Sequence, residues 1–65
     1  MEIKFDKEAN ALYIKLTDKE IVYTEEITPN IIVDYSEDDK PVGIEILNAS
    51  KEVKKENIEQ LLQTV

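Results

Sequence analysis

Cysteine and histidine are both absent from the 65-residue sequence. Without cysteine the chain has no disulfides and no thiolate metal ligands. Without histidine it lacks the commonest neutral metal ligand and the general base best suited to neutral pH. We therefore expect no cofactor, no metal site and no enzyme activity.

Arginine is absent as well, and the formal net charge is −7. Arginine is the residue that best binds phosphates and base edges, and phosphate neutralisation drives most nucleic-acid binding. We therefore expect no direct binding to DNA or RNA. No run is apolar enough to span a bilayer, and residues 1–6 are too charged for a signal peptide, so we expect a cytoplasmic protein with no membrane contact.

The negative charge is concentrated in the middle of the chain. Lysines balance the carboxylates in residues 1–19 and again in 49–65, so the whole excess lies in residues 20–48, where only Lys40 is basic. The carboxylates there are Glu20, Glu25, Glu26, Asp34, Glu37, Asp38, Asp39 and Glu45. This charge suits a basic partner, or it only keeps a small protein in solution.

The length of the chain limits its core. Residues 1–65 are expected to form one domain, because a chain this short cannot divide its buried surface between two cores. A single core of this size seldom supplies more than about 3–5 kcal/mol, so natural chains add disulfides, a metal or a second subunit. Self-association into a homo-oligomer is the support still available here.

Short apolar runs alternate with turn signals, which predicts an α+β fold with an antiparallel meander sheet of about five strands. The predicted strands lie at residues 3–5, 11–17, 20–28, 31–35 and 42–47. Residues 18–19 and Pro29-Asn30 are expected to turn the chain between strands. The polar residues 36–41 predict an exposed hairpin loop.

Period-two alternation assigns the faces of these strands. The side chains expected to face the core include Leu12, Ile14 and Leu16, then Ile21, Tyr23 and Ile27, and finally Val42, Ile44 and Ile46. Ile32 is expected on the opposite, outer face. Gly43 leaves a flat spot on that outer face.

The period changes at the C-terminal end, which predicts a helix packed on one face of the sheet. Its apolar stripe is Ile58, Leu61, Leu62 and Val65. Val53 lies off this stripe, so we expect the helix to be broken near Asn57. Asn57 would then cap the second segment, and Ser50 the first.

One sequence-near pair has the composition of a nucleophile and its base: Ser50 with Lys51 or Lys54. A helix-capping role explains Ser50 without any chemistry. A sheet of this size also leaves little room for a cleft that excludes water. We therefore predict no catalytic residues.

The outer face of the predicted sheet carries the candidate interaction residues. Parity places the carboxylates of Glu26, Asp34 and Glu45 there. The apolar candidates on the same face are Tyr13, Val22 and Ile32, and such patches are more often interfaces than cofactor sites. The alternative is a small ligand- or metal-binding protein or enzyme that uses the three carboxylates.

Three stretches carry a family resemblance: FDKEANALYIKL at residues 5–16, IIVDY at 31–35 and VGIEILNASK at 42–51. They resemble the YuzE-like family (domain of unknown function 2283), whose members are small uncharacterised prokaryotic proteins. Asn10 and Asn48 stand where the family often carries Asp, and this departure weakens the idea that carboxylates are needed at these positions. Some members resemble antitoxin-side neighbours of small RNase-like toxin genes, which implies an antitoxin-like role.

The sequence as a whole favours a non-enzymatic protein-interaction module that self-associates. A homodimer would bury the outer apolar residues or pair the exposed edges of the sheet. The excess carboxylates favour a basic protein partner, such as a small toxin.

Overall fold

The computed structural model describes residues 1–64 and contains five strands followed by two helices. The elements are β1 (Glu2–Asp6), β2 (Ala11–Lys15), β3 (Tyr23–Thr28), β4 (Ile31–Tyr35), β5 (Pro41–Ile46), α1 (Ala49–Glu52) and α2 (Lys55–Thr64). All five strands form one antiparallel sheet, which confirms the predicted α+β class. Neither helix of this described part is long and apolar enough to cross a membrane.

The strand order is β1-β2-β5-β4-β3, which is not a simple meander, because β5 lies between β2 and β4. The predicted turn at residues 18–19 is therefore wrong. Residues 16–22 instead run past the ends of β5 and β4, where the Leu16 amide donates to the Val42 carbonyl at 2.7 Å. The Val22 amide donates to the Tyr35 carbonyl at 2.8 Å, and β3 then begins at the far edge of the sheet.

The composition of the strands explains their order. β5 carries Val42, Ile44 and Ile46 on one face and the small Gly43 on the other, and it lies in the centre of the sheet. β3 reads YTEEIT, is exposed at all six positions and forms an edge. A polar strand pays little desolvation cost at an edge, whereas an apolar strand is stabilised by neighbours on both sides.

The core lies where the helices cover the β1–β2–β5 end of the sheet. Leu12 and Ala49 are fully buried, and Ile58 of α2 packs with them. Partly buried side chains around this cluster are Ile3, Phe5, Ile14, Ile46 and Val53. The predicted apolar stripe of the helix is thus confirmed at Ile58. Leu62 is exposed, and Val65 lies outside the described residues.

α2 contacts β1, at the edge of the sheet opposite β3, and the core cluster lies toward that edge. Ile21 and Ile27 are consequently 47% and 53% exposed, although the sequence predicted that they face the core. Ile21 also lies before the strand begins. Tyr23, predicted inward too, is exposed and stacks on Tyr35 with ring centroids 5.0 Å apart.

The helical region is broken, but four residues earlier than predicted. Val53 is extended (φ −130°, ψ 135°) and separates α1 from α2. Its side chain packs against the core, which an uninterrupted helix would have prevented. Asn57 lies in the first turn of α2 rather than at its cap, and its amide donates to the Lys54 carbonyl at 2.9 Å.

The start of α1 also differs from the prediction, because the residue before the helix is Asn48 rather than Ser50. Asn48 has left-handed backbone angles (φ 50°), and so does Asn10 in the β1–β2 turn (φ 52°). Asparagine and aspartate tolerate this conformation better than other residues with a side chain. Backbone geometry therefore favours short polar side chains at both positions.

Candidate interaction face

Strand register brings most of the predicted interaction residues together in one row on the outer face of the sheet. Tyr13 of β2 lies opposite Glu45 of β5, Glu45 opposite Ile32 of β4, and Ile32 opposite Glu26 of β3. Directly opposed side chains of an antiparallel pair share a face. The core cluster, which includes Ala49 of α1 and Ile58 of α2, lies on the other side of the sheet. Ile32 therefore lies on the outer face, as the sequence predicted. We call this set, with Asp34, the outer acidic row.

Asp34 lies two residues after Ile32 in β4, opposite Gly43 of β5 and Thr24 of β3. Its carboxylate accepts a hydrogen bond from the Thr24 hydroxyl at 2.7 Å and a longer one from the Tyr13 hydroxyl at 3.4 Å. Asp34 therefore links the side chains of β2 and β3 across the two central strands. The sequence did not predict the hydrogen bond between Thr24 and Asp34, because that contact depends on which strands are paired.

The Tyr13 ring fills the flat spot that Gly43 leaves. A Cβ atom placed on Gly43 would lie 2.2 Å from Tyr13 Oη and 2.8 Å from its Cζ, so only glycine fits beneath the ring as it stands. Desolvation raises the pKa of Tyr13, and the negative charge of Asp34 and its hydrogen bond raise it further. Tyr13 thus stays a neutral donor at physiological pH.

Val22, the sixth predicted residue, does not belong to the row. It lies before β3 begins and is exposed, and the parity argument that placed it on the outer face requires a strand that is not formed there. It borders a shallow cavity at the end of the sheet. That cavity is lined by Lys19, Glu20, Val22, Ser36, Glu37 and Asp38.

Charge is divided along the outer face. Lys4 and Lys15 lie on β1 and β2, whereas Glu45, Asp34 and Glu26 lie on β5, β4 and β3. Lys4 pairs with Glu2 at 3.2 Å and Lys15 with Asp18 at 3.1 Å. The hydrogen bond and charge of Asp18 raise the pKa of Lys15. The β3–β5 side of the face therefore presents carboxylates around an apolar centre at Ile32.

The spacing of the three carboxylates does not suit a shared metal ion. Glu45 and Glu26 are separated by β4, so their backbones are about 10 Å apart, with Ile32 between them. Within residues 1–64 no group of three or more Asp or Glu side chains could hold a metal ion. The row is better arranged to present negative charge over a broad surface than to bind an ion at a point.

A second acidic group lies in the β4–β5 loop. The Ser36 hydroxyl donates to the Asp38 carboxylate, and Lys19 Nζ lies 3.0 Å from the same carboxylate, so the pKa of Asp38 is lowered to about 2. The Tyr23 hydroxyl donates to Asp39 at 2.8 Å, which raises the pKa of Tyr23 to about 12. Although the loop was predicted to be exposed, Ser36 is buried.

Ser50, the one candidate nucleophile, is held by Asn10. Asn10 Nδ2 donates to Ser50 Oγ at 2.9 Å, and the Ser50 amide donates to Asn10 Oδ1 at 3.2 Å. The Ala49 amide also donates to the Asn10 carbonyl at 2.9 Å. These contacts fasten α1 to the β1–β2 turn and give Ser50 a structural role.

A family model described as "Protein of unknown function (DUF2283)" matches residues 2–50. The match spans all five strands and the start of α1. It confirms the resemblance noted at residues 5–16, 31–35 and 42–51. The chain matches no curated protein and no solved structure.

Proposed function

The chain belongs to the DUF2283 family of proteins of unknown function, and we propose that it is a non-enzymatic protein-interaction module that self-associates. Its outer acidic row receives a basic protein partner. The proposal includes a cytoplasmic location.

The outer acidic row is the observation that carries this proposal. It combines an apolar centre, Ile32, with carboxylates on the same face, and its side chains come from four neighbouring strands. A flat, charged face on a sheet is more suitable for a protein surface than for a small molecule, which needs a concave pocket. Carboxylates steer a basic partner toward the face and set its orientation.

A small basic toxin is the partner class that the proposal favours. Toxins that cleave RNA need cationic active sites, because their substrate carries a negative charge at each phosphate. An acidic face that covers such a site competes directly with the substrate. This is the antitoxin-like form of the proposal, and it requires a basic protein encoded beside the chain.

The test measures binding of the purified chain to the basic protein encoded next to it, by isothermal titration at low and high salt. Reversing charge in the row, with Glu26→Lys and Glu45→Lys together, is expected to weaken binding at least about tenfold at low salt. The difference should shrink as salt screens the charges. Glu8→Lys with Glu59→Lys is the matched control, since it makes the same charge change at exposed positions away from the row.

Equal loss of binding in both double variants would show that only net charge matters, and the row would lose its assignment. A genome neighbourhood without any small basic reading frame would argue against the antitoxin-like form. A divalent ion found in contact with two of the row's carboxylates would instead favour the ligand-binding alternative.

A further inference from the structure

The two edge strands of the sheet, β1 and β3, differ in how well each suits pairing with a second copy of itself. An edge strand presents unpaired N–H and C=O groups on its outer side, and natural proteins either guard such edges or pair them. β1 carries charges of both signs. β3 carries two adjacent carboxylates, Glu25 and Glu26, and no cation.

We propose that β1 pairs antiparallel with β1 of a second copy, in a register centred on Ile3, which joins two sheets into one of ten strands. This inference rests on the self-association included in the proposed function and names the surface that performs it. A two-fold axis perpendicular to the sheet relates the copies, so every contact occurs twice. It also keeps the helices of both copies on the same face.

On the outer face this register places Glu2 opposite Lys4 of the second copy, and Lys4 opposite Glu2. Opposite charges directly across an antiparallel pair stabilise it, whereas like charges destabilise it. The Lys4 and Glu2 side chains are 74% and 56% exposed, so both are accessible to a second chain. The β1 sequence is therefore complementary to itself in charge.

On the helix face the same register opposes apolar side chains throughout. Ile3 lies opposite Ile3 of the second copy, and Met1 lies opposite Phe5. Met1 is 73% exposed in the single chain, and Ile3 and Phe5 are partly buried. Next to this edge, Phe5 also lines a groove with Ile58 and the exposed Leu62. Burial of these side chains supplies the driving force that a small core lacks.

Other registers and edges fit less well. A β1 pair centred on Phe5 would oppose Ile3 with the charged Lys7. It would also use Asp6, whose carboxylate already accepts the amides of Glu8 and Ala9 at 3.0 and 3.2 Å.

The other edge opposes like charges. Pairing β3 with itself about its centre would place Glu25 opposite Glu25, or Glu26 opposite Glu26. Only β1 therefore combines opposite charges on one face with apolar pairs on the other.

The experiment is sedimentation equilibrium of the wild type, of Glu2→Lys, of Lys4→Glu and of the double variant that carries both changes. Each single change places like charges opposite each other twice in the dimer and should raise its dissociation constant about tenfold or more. The double variant exchanges the two charges and should recover wild-type association. Glu25→Lys on β3 is the matched control and should leave the dissociation constant unchanged.

Far-UV circular dichroism verifies that each variant is folded. Hydrogen exchange gives a readout that needs no variant, because outward-facing amides of β1 should gain protection as protein concentration rises. A dimer whose dissociation constant in both single variants equals that of the wild type would overturn the β1 assignment and leave self-association standing. A monomeric wild type would overturn both the β1 assignment and self-association. Binding to a basic partner is a separate proposal and is tested by the titration described above.

Discussion

The ring of Tyr13 lies over the backbone of Gly43, so closely that an added Cβ atom would lie 2.2 Å from Tyr13 Oη. The two residues come from β2 and β5, which pair although residues 16–40 lie between them in the chain. An aromatic side chain that covers a glycine on a neighbouring strand compensates for the packing that the glycine lacks. This contact also places the Tyr13 hydroxyl near Asp34.

Gly43→Ala is expected to destabilise the fold by about 1 kcal/mol, because the new methyl group displaces the Tyr13 ring. In a Tyr13→Ala background the same change should stabilise the fold by about 0.5–1 kcal/mol, since glycine is unfavourable inside a strand. Urea unfolding of the four proteins measures this reversal. The same effect in both backgrounds would contradict the packing that we describe.

Asp34→Asn is expected to lower the pKa of Tyr13, because it removes the carboxylate charge that helps to raise it. Absorbance of tyrosinate near 295 nm measures the pKa in a background with Tyr23→Phe and Tyr35→Phe, which leaves one tyrosine. The raised pKa of Tyr13 contributes stability that is fully present below the ordinary tyrosine pKa of about 10 and is lost as pH rises through the folded value. The wild type should therefore lose stability in alkali between about pH 10 and the folded pKa of Tyr13, and Asp34→Asn should lower the upper end of this range and make the loss smaller.

Ser36→Ala is expected to raise the pKa of Asp38 from about 2, because the Ser36 hydroxyl is the main cause of its lowering. A lowered carboxyl pKa contributes stability that is present above the unfolded pKa of about 3.9 and is lost as pH falls through the folded value. Carbon-detected NMR titration of the Asp38 carboxyl group measures the shift. Lys19→Met should raise the same pKa by a smaller amount.

Asn48→Ala is expected to cost at least about 1 kcal/mol more than Asn48→Gly, because alanine is unfavourable at a φ of 50° and glycine is not. Both changes remove the hydrogen bond that Asn48 Nδ2 donates to Asn30 at 2.9 Å, so the difference isolates the backbone term. Thermal unfolding of the two variants measures it. Equal destabilisation by the two substitutions would show that Asn48 contributes to stability through its side-chain hydrogen bond alone.

Leu12→Ala is expected to cost about 2–5 kcal/mol, since Leu12 is fully buried at the centre of the core. A chain of this size has about 3–5 kcal/mol in total, so the variant should be largely unfolded at room temperature. Circular dichroism measures the folded fraction. Leu62→Ala removes the same atoms from an exposed position and should leave the chain folded.

Local alternation predicted several strands well. The strand over 31–35 has the observed bounds, and Leu12 and Ile58 lie in the predicted core. These features depend on neighbouring residues and on hydrophobic periodicity, both of which the sequence contains. Ile32 was likewise placed correctly on the outer face.

The features that the sequence did not predict depend on contacts between distant segments. The pairing of β2 with β5 is one of them, and both the cover of Gly43 by Tyr13 and the link from Asp34 to Thr24 require it. The exposure of Ile27 is another, because it depends on the edge of the sheet that α2 approaches. Periodicity within one segment contains no information of this kind.

The adjacent glutamates of β3 have a consequence for growth of the sheet. Successive residues of a strand point to opposite faces, so Glu25 and Glu26 place a carboxylate on each side of the free edge. A third molecule that added its own β3 there would bring like charges together on one face or the other. Assembly would therefore end at a closed pair instead of continuing into a fibre, and an uncovered strand can remain in a crowded cell without seeding aggregation.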